Sequence, residues 1–308
     1  MTQNNNLDTH KDGNWYTIWK VLSIPFSLLY WLIRLGWYIF VRIFFLTFLL
    51  FLTVWLAWWL SQKPSLYRDW EEMDAILPKI SWSGNIVTVE NIRDFTWKTD
   101  VEFTPRYYTQ TYNLNDIEKM YYIITPFSQY NWPAHTMLSF SFSWGKNVVI
   151  SAELRKERGE SFDVIRWALN QYELAYVIAS EEDVIKLRTN YRKNETYMYP
   201  INTPKEKIQW IFRSMLIRAN KISREPEFYN TFWNNCTTSV LFHANAFRND
   251  KLIGWFYTLL PSHSDEILFN EWLIDTTLSP QNAREYYRID EIARTYTGSK
   301  SFSEIIRK

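Results

Sequence analysis

The sequence predicts an α+β domain that follows an N-terminal membrane helix. Three observations carry this prediction: residues 43–60 are continuously apolar, residues 134–142 and 147–155 alternate between apolar and polar side chains, and residues 204–222 begin with the signals of a long helix. The charged fraction of 22% is ordinary for a globular protein. This composition excludes a disordered chain and a polytopic transporter.

Residues 43–60 form the predicted transmembrane anchor. They contain no charge, and eighteen residues are about the minimum that crosses a hydrocarbon core of roughly 30 Å as a helix. Lys20, Arg34 and Arg42 precede the run, so the positive-inside rule places the N-terminus in the cytoplasm and the following domain outside it. The run is longer than a signal-peptide core and no small-x-small cleavage site follows, which favours an uncleaved anchor.

The segments on either side of the anchor complete the predicted organisation. Residues 15–42 are rich in aromatic side chains but broken by charges, which predicts an interfacial helix or, alternatively, a second membrane helix. Residues 1–14 are polar and are expected to be a disordered tail. Residues 61–308 contain no linker rich in proline, glycine or serine, so one domain is expected there.

Charge and cysteine content exclude several classes of site. The chain has 34 basic and 33 acidic residues, whereas a nucleic-acid-binding surface normally leaves a basic excess. The single cysteine, Cys236, permits neither an internal disulfide nor a zinc site made of four cysteines. We expect no metal, no cofactor and no nucleic-acid partner.

Alternation and capping signals place the elements of the domain. Strands are predicted at 84–95, 105–112, 118–125, 134–142, 147–155 and 173–179, and helices at 161–171, 182–188 and 204–222. Residues 144–146 are expected to form the turn between the fourth and fifth strands. Thr203 is the expected cap of the last helix, with Pro204 at its first position.

The two strands at 134–142 and 147–155 predict a hairpin register. Their apolar faces point the same way if Phe142 pairs with Val148, which requires an odd number of loop residues. The same register makes His135 and Glu153 diagonal neighbours on the polar face, within reach of one another.

Cys236 is a candidate nucleophile because of its position. Asn234 and Asn235 precede it as possible caps, so the sulfur is expected in the first turn of a helix. The positive end of the helix dipole favours the thiolate, which is the form that attacks carbonyl carbon. A buried, inert cysteine is the alternative that position alone leaves open.

A cysteine nucleophile needs a base, and the chain has four histidines. His10 lies in the tail, His263 fits a helix start or the surface, and His243 is two turns from Cys236 on the same helix, about 10 Å away. His135 begins a strand on a polar face beside Glu153, so a carboxylate could orient it while its other nitrogen faces a thiol. An ordinary sheet histidine remains the alternative.

Six blocks of sequence carry a resemblance to a known family: residues 90–97, 100–108, 135–142, 151–160, 172–191 and 226–238. The resemblance extends from about residue 89 to about residue 275. On these blocks the chain resembles a bacterial membrane-anchored family, once a domain of unknown function, that is now associated with the Lnb-type lipoprotein N-acyltransferases.

The resemblance implies a circularly permuted papain-like fold with an antiparallel sheet, related to NlpC-type enzymes. It implies that Cys236 is the nucleophile, His135 the base and Glu153 the orienting carboxylate. The implied activity is that of a membrane-anchored cysteine acyltransferase that moves an acyl chain from a phospholipid to the N-terminal amine of a lipoprotein. The implied location is the bacterial inner membrane, with the catalytic domain in the periplasm.

One block departs from the family. Residues 180–183 read Ser-Glu-Glu-Asp where the family commonly carries Asp-Glu-Arg-Asp, and we expect a solvated helix start there.

Two other functions stay open from the sequence. A thiol peptidase or amidase acting on cell-wall peptide would use the same fold and nucleophile but release a free carboxylate. An anchored binding domain with a vestigial site would leave Cys236 buried and unreactive.

Overall fold

A computed structural model describes residues 12–127, 133–160, 166, 169–246, 248, 251–252 and 261–307. The chain divides into two compact units, Met1–Gln62 and Lys63–Lys308. His10, most of the predicted tail and most of the helix predicted at 161–171 lie outside the described residues.

In its described residues, the first unit forms one helix, α1, over Asp12–Ser61. Its part Pro25–Ser61, 37 residues, is long and apolar enough to cross a membrane, by length and composition. The helix runs without a break through the predicted segments 15–42 and 43–60. The boundary between an interfacial part and a membrane part therefore stays a prediction.

The second unit is built on a nine-stranded sheet in the described part of the chain. The strands of the unit are β1 Lys79–Ser83, β2 Ile86–Arg93, β3 Thr96–Trp97, β4 Phe103–Thr104, β5 Tyr107–Asn113, β6 Ile117–Pro126, β7 Ala134–Phe142, β8 Lys146–Arg155, β9 Tyr172–Ala179, β10 Tyr197–Pro200 and β11 Phe228–Tyr229. The order is β1-β2-β9-β8-β7-β6-β10, with β5 paired to β2 and β11 to β9, while β3 and β4 pair separately. Neighbours are antiparallel except β2 and β9, which meet in parallel at Arg93 and Ala179.

Helices cover both faces of this sheet. They are α2 Glu181–Lys186, α3 Lys205–Ile222, α4 Cys236–Asn245, α5 Asp265–Asn270, α6 Pro280–Tyr286, α7 Asp290–Arg294 and α8 Phe302–Ile305. On one face Leu138 and Phe140 of β7 pack with Phe212 of α3 in the larger apolar core. On the other face Met137 packs in a second core with Phe302 of α8. The prediction of a mixed α+β fold with a mostly antiparallel sheet behind an apolar helix is confirmed.

The predicted hairpin register is wrong by two residues. The loop between β7 and β8 is the three-residue turn Ser143–Gly145, so Phe142 pairs with Lys146 and not with Val148. Trp144 and Gly145 adopt left-handed conformations with φ of 68° and 72°, which closes the turn tightly. The predicted odd loop length is confirmed, and the polar faces of the two strands coincide as expected.

Two predicted helix starts are also wrong. Helix α3 begins at Lys205 with Pro204 as its cap residue, and no side chain caps it, so Thr203 has no capping role. The start of α2 is buried and not solvated: Ser180 caps it, while Glu181 and Asp183 are 2% and 1% exposed. Asp183 accepts hydrogen bonds from the guanidinium of Arg93, and therefore serves a buried ion pair.

Candidate active site

Cys236 is the first residue of α4 and is 5% exposed. Asn235 caps the helix: its side chain accepts from the N–H of Thr238, and its own N–H donates to the Thr238 hydroxyl, a capping box. Two of the N–H groups at the helix start are used in this way. The N–H groups of Cys236 and Thr237 lie between the N–H groups of Asn235 and Thr238 in the chain, in the helix turn that carries the sulfur atom.

His135 and Glu153 are in ion-pair contact and are also bridged by the Ser151 hydroxyl. His135 is the second residue of β7, and Glu153 is the eighth residue of β8. His135 Nε2 lies 3.0 Å from Glu153 Oε1. The last hairpin pair before them is Met137 with Ser151, so the two side chains face one another directly and not diagonally. The contact fixes the ring and leaves the other ring nitrogen, Nδ1, for the thiol.

The structure brings the His135 imidazole against the Cys236 thiol. Burial raises the pKa of the thiol, but the charge of His135 and a side-chain hydrogen bond from it outweigh burial and lower that pKa from 9.0 to about 7. Burial works against the imidazolium most strongly, but the charges of Glu153 and Cys236 and a hydrogen bond to Cys236 together outweigh it and raise the pKa of His135 above 6.5. These opposite shifts favour a thiolate and imidazolium pair near neutral pH.

Two residues that sequence reasoning did not assign to the site complete the Glu153 environment. The Ser151 hydroxyl donates a 2.8 Å hydrogen bond to Glu153 Oε1. The oxygen of that hydroxyl also lies 2.6 Å from His135 Nε2. Arg188 donates to Glu153 Oε1 over 2.8 Å and is 3% exposed. Burial would raise the pKa of Glu153, but His135 and Arg188 hold it well below 4.5. Ser151 had a signal, since it precedes Glu153 by two residues on one strand face; Arg188 had none.

Two further groups touch the sulfur from the sheet side. The backbone and side chain of Thr136 both hydrogen-bond toward Cys236 and lower the pKa of the thiol. The hydroxyl of Tyr229 also hydrogen-bonds at Cys236, and burial raises its pKa well above 10. Tyr229 therefore stays protonated and is a neutral donor beside the nucleophile.

A cavity of about 140 Å³ opens onto these residues. It is lined by Cys236, His135 and Glu153 together with four cations, Arg93, Lys156, Arg188 and Arg192, and one further carboxyl group, Asp74. Arg93 and Arg188 are neutralised by Asp183 and Glu153. Within the described residues, no carboxylate lies in ion-pair distance of Lys156 or Arg192. The cavity therefore carries an excess of positive charge.

The remaining described histidines have structural surroundings. His243 is buried between the hydroxyls of Tyr176 and Ser214, at 3.1 and 2.7 Å. Burial lowers the pKa of His243 to about 3, so the ring stays neutral. His263 lies at the surface, 2.9 Å from Glu266.

A thiol at a helix N-terminus, an imidazole beside it and a carboxylate behind the imidazole form an arrangement typical of cysteine-dependent enzymes. The sequence matches the family described as Lnb N-terminal periplasmic domain over residues 103–261, slightly more than half of the chain. The protein belongs to this family, which confirms the resemblance, and the matched region contains Cys236, His135 and Glu153. Family membership suggests an enzyme with a periplasmic domain, and α1 fits a membrane anchor.

No curated protein and no solved structure matches the chain significantly.

Proposed function

We propose that this protein is an inner-membrane cysteine acyltransferase with a periplasmic catalytic domain of permuted papain-like type. It transfers an acyl chain from a phospholipid, through a thioester on Cys236, to the N-terminal amine of a lipoprotein. The observation that carries the proposal is the placement of the Cys236 thiol, with a pKa of about 7, against an imidazole that Glu153 holds.

The first half-reaction forms the thioester. The Cys236 thiolate attacks the ester carbonyl carbon of the phospholipid, the bond from that carbon to the glycerol oxygen breaks, and the His135 imidazolium gives its proton to that oxygen. The products are a lysophospholipid and acyl-Cys236. The N–H group of Thr237 and the hydroxyl of Tyr229, which itself accepts from the Cys236 N–H, are donors that can reach the oxyanion of the tetrahedral intermediate.

The second half-reaction releases the thiol. The neutral α-amine of the lipoprotein attacks the thioester carbonyl, the carbon–sulfur bond breaks and an amide forms. His135 takes the proton that the amine nitrogen loses, which restores the thiolate and imidazolium pair. Glu153 stabilises the imidazolium in both steps without itself changing protonation, because its pKa lies well below 4.5.

Two features favour lipid substrates. Lys156 and Arg192, which form no ion pair with any described residue, line the catalytic cavity and match the phosphate of a phospholipid headgroup. The apolar helix tethers the domain to the leaflet in which both substrates lie, which raises their effective concentration.

The test is product analysis with the full-length protein in detergent. Incubation with a phospholipid should add one acyl mass to Cys236, removable by hydroxylamine, and release lysophospholipid. Addition of a diacylglyceryl-cysteine peptide should then give the N-acyl peptide. Cys236→Ser should lose the thioester, and Ser239→Ala on the same helix is the matched control. Cleavage of cell-wall peptide with release of free carboxylate, and no thioester from phospholipid, would instead establish the peptidase.

A further inference from the structure

A second cavity, of about 170 Å³, lies beside the helix that carries the nucleophile. Four residues of α4 line it: Thr237, Val240, Leu241 and Ala244. Their spacing of three, four and seven residues from Thr237 forms a single stripe along the helix. The stripe begins one residue after Cys236 and runs away from it for about two turns.

The other walls of this cavity are mostly apolar, although Asn202, Thr203, Lys207 and Arg248 also line it. The apolar walls come from strands β6 and β7, helices α3 and α5, and the segments on either side of α5, through Met120, Leu138, Ile211, Leu252, Ile267, Leu268 and Leu273. Its polar atoms near the nucleophile are paired among themselves: Tyr122 bonds Ser264 over 2.6 Å, and Thr237 bonds Thr136 over 3.3 Å. An apolar cavity of roughly 150 Å³ stays dry and binds apolar ligands.

The apolar cavity adjoins the catalytic cavity. Thr237 lines both, and its hydroxyl lies 3.9 Å from Cys236 Sγ. Pro261 lines the catalytic cavity, and its carbonyl accepts a 2.6 Å hydrogen bond from Ser264, which lines the apolar one. Thr237 therefore belongs to both cavities and lies directly between the sulfur atom and the apolar space.

An acyl chain on Cys236 has two directions available. The catalytic cavity carries Arg93, Arg188, Arg192 and Lys156, and a hydrocarbon chain laid over these groups would remove water from charges without replacing it. The second cavity is lined mainly by aliphatic side chains, and its two cations are Lys207, which is exposed, and Arg248, which pairs with Glu271. Each methylene group placed among the aliphatic side chains is removed from water and gains apolar contacts.

We propose that the apolar cavity along α4 receives the hydrocarbon chain of the acyl group held on Cys236, and that Val240 and Ala244 set the length of chain accepted. This inference rests on the proposed function, and it adds a binding site and a specificity determinant to it. Val240 lies one turn and Ala244 two turns from the nucleophile, so filling each position should shorten the site by a different amount.

The experiment measures which acyl chain Cys236 takes from an equimolar mixture of phosphatidylethanolamines with chains of 8, 12 and 16 carbons. Full-length protein in detergent is used, and the acyl masses on Cys236 are read by mass spectrometry. Ala244→Leu should shift the ratio of short to long chains about tenfold toward short chains, and Val240→Phe should shift it further. Leu241→Ala enlarges the cavity and should shift the ratio the opposite way.

Two controls separate the possible failures. Phe242 is 62% exposed and lines neither cavity, so Phe242→Leu should leave the ratio unchanged. Alkylation of Cys236 by iodoacetamide should be equal in all variants, since the thiol and His135 are untouched. A thioester on the wild type with the same chain distribution in all three cavity variants overturns the acyl site alone. Absence of any thioester on the wild type overturns the proposed function, and this site with it.

Discussion

Glu153 Oε1 lies 3.0 Å from His135 Nε2, two residues beyond the last pair of the β7–β8 hairpin on each strand. Nε2 faces both the carboxylate and the Ser151 hydroxyl that donates to it, which leaves the Nδ1 lone pair as the group that can take the thiol proton. The pKa of Cys236 therefore depends on a residue that need not touch the sulfur.

Replacement of Glu153 by Gln should raise the pKa of Cys236. Without the carboxylate the imidazolium loses its main support, so the thiol pKa moves from about 7 toward its ordinary value of 9.0. Alkylation by iodoacetamide at pH 7 should slow, by at most about fiftyfold, and its pH profile should shift to higher pH. Glu182→Gln, at an exposed residue that pairs only with Lys186 among the described contacts, should change neither. An unshifted profile in Glu153→Gln would remove Glu153 from this role.

The wild-type protein should show different pH profiles for alkylation and for acylation. Alkylation needs only the thiolate, so it should rise through about pH 7 and stay high. Thioester formation from phospholipid also needs the proton of His135 for the leaving oxygen, so it should rise through the same region and fall once pH exceeds the raised pKa of His135. Identical profiles for the two reactions would argue against proton donation by His135.

Tyr229→Phe should slow acylation more than it slows alkylation. The hydroxyl of Tyr229 hydrogen-bonds at Cys236 and stays protonated, so it can donate to the oxyanion. Loss of one such donor lowers kcat by about 10²- to 10³-fold in other acyl-transfer enzymes. Tyr287→Phe, which removes a hydroxyl bonded to the Asp275 carbonyl, is the matched control and should leave both rates unchanged. Equal loss in the two reactions would indicate a change at the thiol itself.

Arg192→Gln and Lys156→Gln should weaken use of phospholipid donors. Both cations line the catalytic cavity, and their removal takes away attraction for a headgroup phosphate. The expected result is a higher KM for phospholipid, with an unchanged alkylation rate by neutral iodoacetamide. Lys205→Gln, at the exposed start of α3, removes an equal charge elsewhere. If the KM for phospholipid rises equally in Lys205→Gln, the change comes from the lower net charge of the protein and not from the two cavity cations.

Arg93→Met should destabilise the domain strongly. The variant leaves Asp183, whose side chain is fully buried, without its cationic partner. Breaking a buried pair in this way costs about 3–5 kcal/mol. Arg106→Met removes a cation that is 71% exposed and pairs with Asp94, and should cost at most about 1 kcal/mol. The thermal unfolding midpoint of the full-length variants measures the difference; similar midpoints for both would contradict the assignment of a buried ion pair.

The sequence anticipates what local patterns determine. Alternation predicts strand β7 at the residues where it is found, and the asparagine before Cys236 does cap α4. The register fails because Trp144 adopts a left-handed conformation, with φ of 68°, that is rare outside glycine, so the loop is two residues shorter than expected. The conformational preference of a tryptophan does not predict a left-handed turn at residue 144.

The features that the sequence did not predict depend on ion pairs between residues far apart in the chain. Glu181 and Asp183 look like the solvated first turn of a helix, but they are buried because Arg307 and Arg93 come from distant parts of the chain to neutralise them. Arg188 joins Glu153 in the same way, across 35 residues. Partners of this kind have no local signal, so sequence patterns miss them while finding the elements that they join.

The three groups proposed for catalysis lie on β7, β8 and α4, and Cys236 follows His135 by about a hundred residues. Until the hairpin has closed and α4 has docked on it, the sulfur has no imidazole beside it and behaves as an ordinary thiol that is mostly protonated at neutral pH. In a chain that has not yet folded, Cys236 therefore reacts slowly with oxidants and electrophiles. Chemical reactivity at this one atom becomes a readout of whether the protein has reached its native state.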